Sequence, residues 1–75
     1  MYEPDKVGER IKKCAAQKRI QLKDLYSSCG LSKNVTTYLA SGSMLRADNL
    51  AKIADQLDVS VDYLLGRTER PEVNR

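Results

Sequence analysis

Histidine, tryptophan and phenylalanine are absent from these 75 residues, and cysteine occurs only twice. The first absence reaches furthest. Without an imidazole, a cysteine or serine nucleophile lacks its usual general base. The carboxylates are scattered over expected surface positions and form no catalytic pair, so the chain reads as a non-enzyme. Two cysteines without histidine leave too few ligands for a zinc centre, and no cofactor is expected. Cys14 and Cys29 each fall on the apolar side of an expected helix. Buried, reduced thiols are the expectation there, with a disulfide between them as the alternative. No apolar run is long enough to span a bilayer and no signal-peptide pattern is present. A soluble, cytoplasmic chain with no membrane partner is therefore expected. No ligand pocket or protease-cleavage linker is visible in the sequence.

Without phenylalanine or tryptophan, and with four tyrosines as the only aromatics, the core must come from Leu, Ile, Val, Ala and Cys. Such a composition suits a bundle of short helices better than a β-sandwich. The length allows one domain, near the lower limit for a self-supporting core.

The charge is +3 overall but unevenly spread. Through Arg46 there are nine bases against four acids, whereas from Ala47 to Gly66 Lys52 stands alone against four aspartates. The basic part could face a polyanion. It contains the most informative stretch, Leu22 to Gly42, which reads as two short helices hinged at Gly30. Leu25 opens the apolar side of the first. Cys29-Gly30-Leu31 supplies a small apolar residue, a glycine suited to a left-handed turn and an apolar plug. Ser32 is a good N-cap for the second helix. From there Val35, Thr36, Leu39 and Ala40 share one face and Lys33, Asn34, Thr37, Tyr38 and Ser41 the other. The second face carries hydrogen-bonding groups and no acid, as suits phosphates and base edges. An ordinary solvated surface is the competing reading for this helix taken alone.

The flanking elements are simpler. Residues from Asp5 to about Lys18 predict a first helix, because Val7, Ile11, Cys14 and Ala15 form one stripe. Asp5 is a candidate cap, and Gly8 weakens the first turn. Ile20 should turn inward. Ser41-Gly42-Ser43 ends the second motif helix. A fourth helix is expected from about Ala47 to Leu57, burying Leu50, Ile53, Ala54 and Leu57, with Asp48 favouring its dipole. A fifth begins at Ser60, with Val59 and Leu64 as a hydrophobic staple, and Gly66 closes it. Residues 1–66 thus form the domain. Residues 67–75 are charged, contain Pro71 and lack periodicity, so a flexible tail is expected.

Five short helices, a glycine-hinged pair in second and third place, and the ending Leu57 to Gly66 together resemble the lambda-repressor-like, Cro/cI-type (XRE) helix-turn-helix family. The pieces that match are Ile11, Leu25, Gly30-Leu31-Ser32, Leu39, Gly42 and the segment Leu57 to Leu65. The resemblance implies an all-α, compact five-helix domain that binds operator DNA as a transcriptional regulator, often a phage or mobile-element repressor acting as a homodimer. It implies that Lys33, Asn34, Thr37 and Tyr38 contact bases and that Ser41 and Ser43 touch phosphates. Ser32 and Arg46 join the expected phosphate contacts. Leu22 replaces the family's usual phosphate-contacting Gln, a role that Gln21 or Lys23 would have to take.

Three further departures carry expectations. Tyr26 replaces a small Ala between the motif helices, so its ring should slide outward or widen the crossing. Thr36 replaces an aliphatic core residue, tolerable if its hydroxyl bonds back to a carbonyl. Ala15 and Ala40 stand where many relatives hold a buried Arg–Glu bridge, and they should pack close together.

By symmetry a dimer would read two half-sites of a pseudo-palindromic operator, about 34 Å apart. Tyr63 and Leu64 are the candidate interface, a partly buried core position being the other reading of Tyr63. The alternatives to a DNA-reading regulator are an antitoxin-type regulator and a protein-interaction module that keeps the fold without specific DNA binding.

Overall fold

α1 (Pro4–Gln17) touches every other helix, and the domain is wrapped around it. The computed structural model describes residues 2–72 of the chain. Among them are five helices and no strand: α1, α2 (Leu22–Ser28), α3 (Val35–Ala40), α4 (Ala47–Leu57) and α5 (Val61–Leu65). α3 lies mainly on α1, while α4 packs on α1, α2 and α5. The Cα radius of gyration, 11.1 Å, is close to the roughly 11 Å expected of a single globule this long.

The stripe Val7, Ile11, Cys14 and Ala15 is buried as its spacing predicts, and so is the stripe Leu50, Ile53, Ala54 and Leu57 of α4. Val59 and Leu64 are buried at the two ends expected of a staple, and Ile20 packs against the core. Ser60 caps α5, its Oγ accepting from the Tyr63 N–H at 3.0 Å. The start of α1 differs from expectation. Glu3 occupies the cap position without a side-chain cap bond, and Pro4 begins the helix. Proline is tolerated there because its missing N–H would have no intrahelical partner. Asp5 lies inside the first turn, where its charge favours the dipole.

All five helices end alike. The second residue past the cap in α1, α2 and α3, and the first past it in α4 and α5, donates its N–H to the carbonyl five residues back: Ile20 to Ala15, Leu31 to Tyr26, Ser43 to Tyr38, Val59 to Ala54 and Arg67 to Asp62. The residue before each donor has positive φ, being Gly30 and Gly42 around the motif and Gly66 after α5. Arg19 and Asp58 hold the same conformation without glycine's freedom.

The helix lying on α1 comes close at one point. A Cβ placed on Gly8 would meet the Leu39 Cβ at 3.5 Å, an ordinary van der Waals distance. The expected Ala15–Ala40 contact is not what seals this crossing, because Ala15 is buried and Ala40 exposed.

Residues 67–72 do not extend as a loose tail; the expectation for residues 73–75 lies outside the described residues. The Arg10 guanidinium donates to the Tyr63 carbonyl at 3.1 Å, to the Thr68 carbonyl at 3.4 Å and to Glu69 Oε1 at 3.1 Å. It also lies over the Tyr63 ring, 4.6 Å from the centroid. Further along, the Ser60 N–H donates to the Pro71 carbonyl at 2.9 Å. The segment therefore runs back along α5 from its C-terminal end to its N-cap, held largely through backbone carbonyls.

Two stability changes follow from these contacts. Gly8→Ala should raise the unfolding free energy by about 0.5–1 kcal/mol, since the methyl fits against Leu39 and alanine suits a helix interior better. A lowered thermal midpoint would show that the added methyl strains the crossing. Arg10→Met keeps the aliphatic stem and deletes the guanidinium. It should lower stability by about 1–3 kcal/mol and hasten proteolytic cleavage within residues 67–72, readable by denaturant titration and limited digestion.

Candidate nucleic-acid interface

Six residues separate α2 from α3, and three features shape the connection. Gly30, at φ +72°, reverses the chain after Cys29, and Leu31 tucks back with its N–H on the Tyr26 carbonyl at 2.8 Å. Ser32 Oγ then accepts from the Asn34 N–H at 3.1 Å. The hydroxyl thus organises a turn two residues long, and α3 proper begins at Val35 with Asn34 as its cap residue. The expected N-cap at Ser32 is corrected accordingly. Lys33 and Asn34 belong to the turn before α3, whereas Thr37 and Tyr38 sit on the helix.

The outward surface is as the spacing implies. Lys33, Asn34, Thr37 and Tyr38 are all exposed, and Tyr38, at 49 %, is one of two large hydrophobic side chains left to solvent among the described residues. Val35 and Leu39 are buried on the opposite side. The residues expected to touch phosphates are placed as follows. Gln21 and Lys23 are exposed at the start of α2, and Ser32 in the turn. Ser41 is exposed at the end of α3, its hydroxyl donating to the Tyr38 carbonyl at 2.7 Å. Ser43 is half-buried in the loop that follows. Arg46 is exposed at the start of α4, 3.4 Å from Asp48 Oδ1, an exposed pair of small energetic consequence. Among the described residues no carboxylate pairs with Lys23 or Lys33. Their charge stays available to a polyanion.

Two departures that looked awkward one at a time prove to be partners. The Tyr26 ring neither slides outward nor stays wet. It is 1 % exposed, and its hydroxyl shares a 2.7 Å hydrogen bond with Thr36 Oγ1 across the motif. Thr36 accordingly bonds to Tyr26 in place of a backbone carbonyl. Among the described residues no buried side-chain nitrogen or oxygen lacks a partner. The available clue in the sequence was that both substitutions add a hydroxyl at the helix–helix contact.

Tyr63 and Leu64 have to be removed from the subunit-contact surface. Leu64 is 0 % and Tyr63 8 % exposed, inside the protomer's own core, with Arg10 covering the Tyr63 ring. Their apolar spacing serves the core. Among the described residues no group of three or more Cys, Asp or Glu is placed to hold a metal ion. Nor is any helix long and apolar enough to cross a membrane.

A glycine-hinged helix pair backed by three further helices, its second helix displaying a polar acid-free face, defines a helix-turn-helix DNA-binding domain. Residues 10–69 match the family described as Cro/C1-type HTH DNA-binding domain, and the chain belongs to that family. It is therefore a DNA-binding domain of a regulator type. No curated protein and no solved structure matches the chain.

The buried thiols and phenol give the domain a pH limit. Cys14 and Cys29 are free and buried, and burial raises both pKa values above the ordinary 9.0. The cations Lys13, Lys18 and Arg10 oppose this at Cys14, as Lys52 does at Cys29. Burial likewise raises Tyr26 above 10.0, with the Thr36 hydrogen bond opposing. The folded chain thus keeps protons that the unfolded chain releases first. This contribution to stability is complete below pH 9.0 and is lost as the pH climbs through the raised values. Denaturation midpoints should fall above pH 9.0, and Cys29→Ala should flatten the first part of the decline. An identical slope in that variant would mean the thiol is not the group responsible.

Proposed function

We propose that the chain is a sequence-specific transcriptional regulator of repressor type, as in phage and mobile-element systems, and that it reads the major groove with α3 and the turn before it. The observation that carries this reading is the surface of Lys33, Asn34, Thr37 and Tyr38: all four exposed, without an acid among them, and with Lys33 and Lys23 paired to no carboxylate among the described residues. Lys33 suits the guanine acceptors, Asn34 the adenine edge, and the Thr37 methyl a thymine methyl. Gln21, Lys23, Ser32, Ser41, Ser43 and Arg46 grip phosphates on either side, fixing orientation without reading sequence.

The regulator acts in the cytoplasm as a homodimer on a pseudo-palindromic operator, with half-sites about one helical turn apart. The contact between copies falls outside Tyr63 and Leu64. The reading as a pure protein-interaction module draws support from two departures, Leu22 and Tyr26. The Tyr26 part of that support lapses because the ring is accommodated and its hydroxyl paired, which leaves Leu22 alone in its favour.

Site selection from a random duplex pool, followed by titrations at two salt concentrations, tests the proposal. Binding should weaken steeply as salt rises. Asn34→Ala should cost about 1–3 kcal/mol on the selected site and relax preference at one base pair. Lys23→Ala should weaken all sequences alike and reduce the salt slope by about 1. No enrichment, together with salt-insensitive or undetectable binding to any duplex, would end this reading.

A further inference from the structure

We infer that the hydroxyl pair of Tyr26 and Thr36 fixes the rotation of α3 against α2 and so sets how sharply the domain discriminates one DNA sequence from another. This rests on the reading of α3 as the base-reading element. Neither residue is placed to touch DNA, since Tyr26 is buried and Thr36 sits on the inward side, half-buried. Both are positioning residues.

Three observations lead there. α3 is six residues long and its N-cap residue, Asn34, makes no side-chain cap bond, so its orientation depends on its neighbours. Its apolar anchors, Val35 and Leu39, supply burial, which has no direction and tolerates some rolling of the helix. The Tyr26–Thr36 bond, at 2.7 Å, does have direction. Both ends of that bond are stiff. The Tyr26 ring is enclosed by the core, and threonine is β-branched and restricted at χ1. A hydrogen bond between two such groups orients the α3 backbone itself, one residue before Thr37 and two before Tyr38.

The geometry shows why this matters for reading. A roll of about 20° carries a side-chain tip roughly 5–6 Å from the axis through about 2 Å. A base-edge hydrogen bond does not survive such a displacement, whereas attraction to phosphates by mobile lysines does. Loss of the pair should therefore blunt preference and spare general DNA affinity.

The test uses the full chain as wild type, Tyr26→Phe, Thr36→Val and the double variant. Each is titrated on the duplex selected by the wild type and on a random duplex, with thermal unfolding measured alongside. Each single variant leaves one hydroxyl without its partner and should lose stability. The double variant leaves neither and should recover most of it. Preference for the selected duplex should fall at least about fivefold in all three, the lower end of what one base contact supplies, while random-duplex affinity stays within about twofold. The double variant decides the matter, being stable again but still indiscriminate. If it regains preference along with stability, or if preference survives in either single variant, the inference is wrong. A wild type that selects no sequence at all fails for a different reason, taking down the parent reading and this one with it.

Discussion

A helix of six residues does not persist in water by itself, because the cost of nucleating the first turn is spread over too few bonds. That constraint governs α3, the element proposed to carry the base-reading surface. Everything that makes α3 a helix comes from outside it. α1 supplies the floor, with Gly8 facing the Leu39 side chain. Val35 and Leu39 provide the apolar anchors, and the Tyr26–Thr36 hydrogen bond gives the tie to α2. Of the described residues that are exposed, Ser41 alone adds a side-chain bond to the α3 backbone, through the Tyr38 carbonyl. Holding falls mainly to the inward side of the segment and the proposed reading to the outward side.

Arg10 has the corresponding role at the other end of the molecule. One guanidinium, largely buried, meets the carbonyl of Tyr63, the π face of the same residue, and the segment that follows α5. The bond to Glu69 adds little, because that carboxylate is 88 % exposed and screened by water. The carbonyl contacts matter more, since they lie in partly buried surroundings. They also make Tyr63 part of the core, with its ring sandwiched between the interior and a cation.

Much of the fold was legible in the sequence, and the misses share a physical pattern. α1 and α4 could be read from their long apolar stripes, and α5 from its serine cap and glycine stop. The start of α3 was harder. Ser32 makes a hydroxyl-to-amide bond either as a helix cap or as the opening of a turn, and the residue type is the same for both. Tyr26 and Thr36 were each weighed against a position alone, whereas their compatibility is a property of the pair. Tyr63 illustrates a different limit. A core site and a subunit contact both favour an aromatic with a polar tip, so spacing cannot separate them. The path of residues 67–72 is held by the carbonyls of Thr68 and Pro71, which every residue carries whatever its side chain. Composition is blind to such bonds. Of the candidate interface, the outward set Lys33, Asn34, Thr37 and Tyr38 came directly from helical spacing, and their exposure agrees with it.

Each helix end is closed by a hydrogen bond reaching five residues back, so the signals that stop α2 and α3 are contained within a few positions. α3 is bounded by Gly30 on one side and Gly42 on the other, and of the outward-facing side chains Ser41 takes part in a boundary, through its bond to the Tyr38 carbonyl. The outward positions other than Ser41 are therefore free to vary without moving the frame that presents them. On the proposed reading of α3, a lineage carrying this domain can be retargeted to a new binding site by exchanging a handful of surface residues, leaving the stops and the interior untouched.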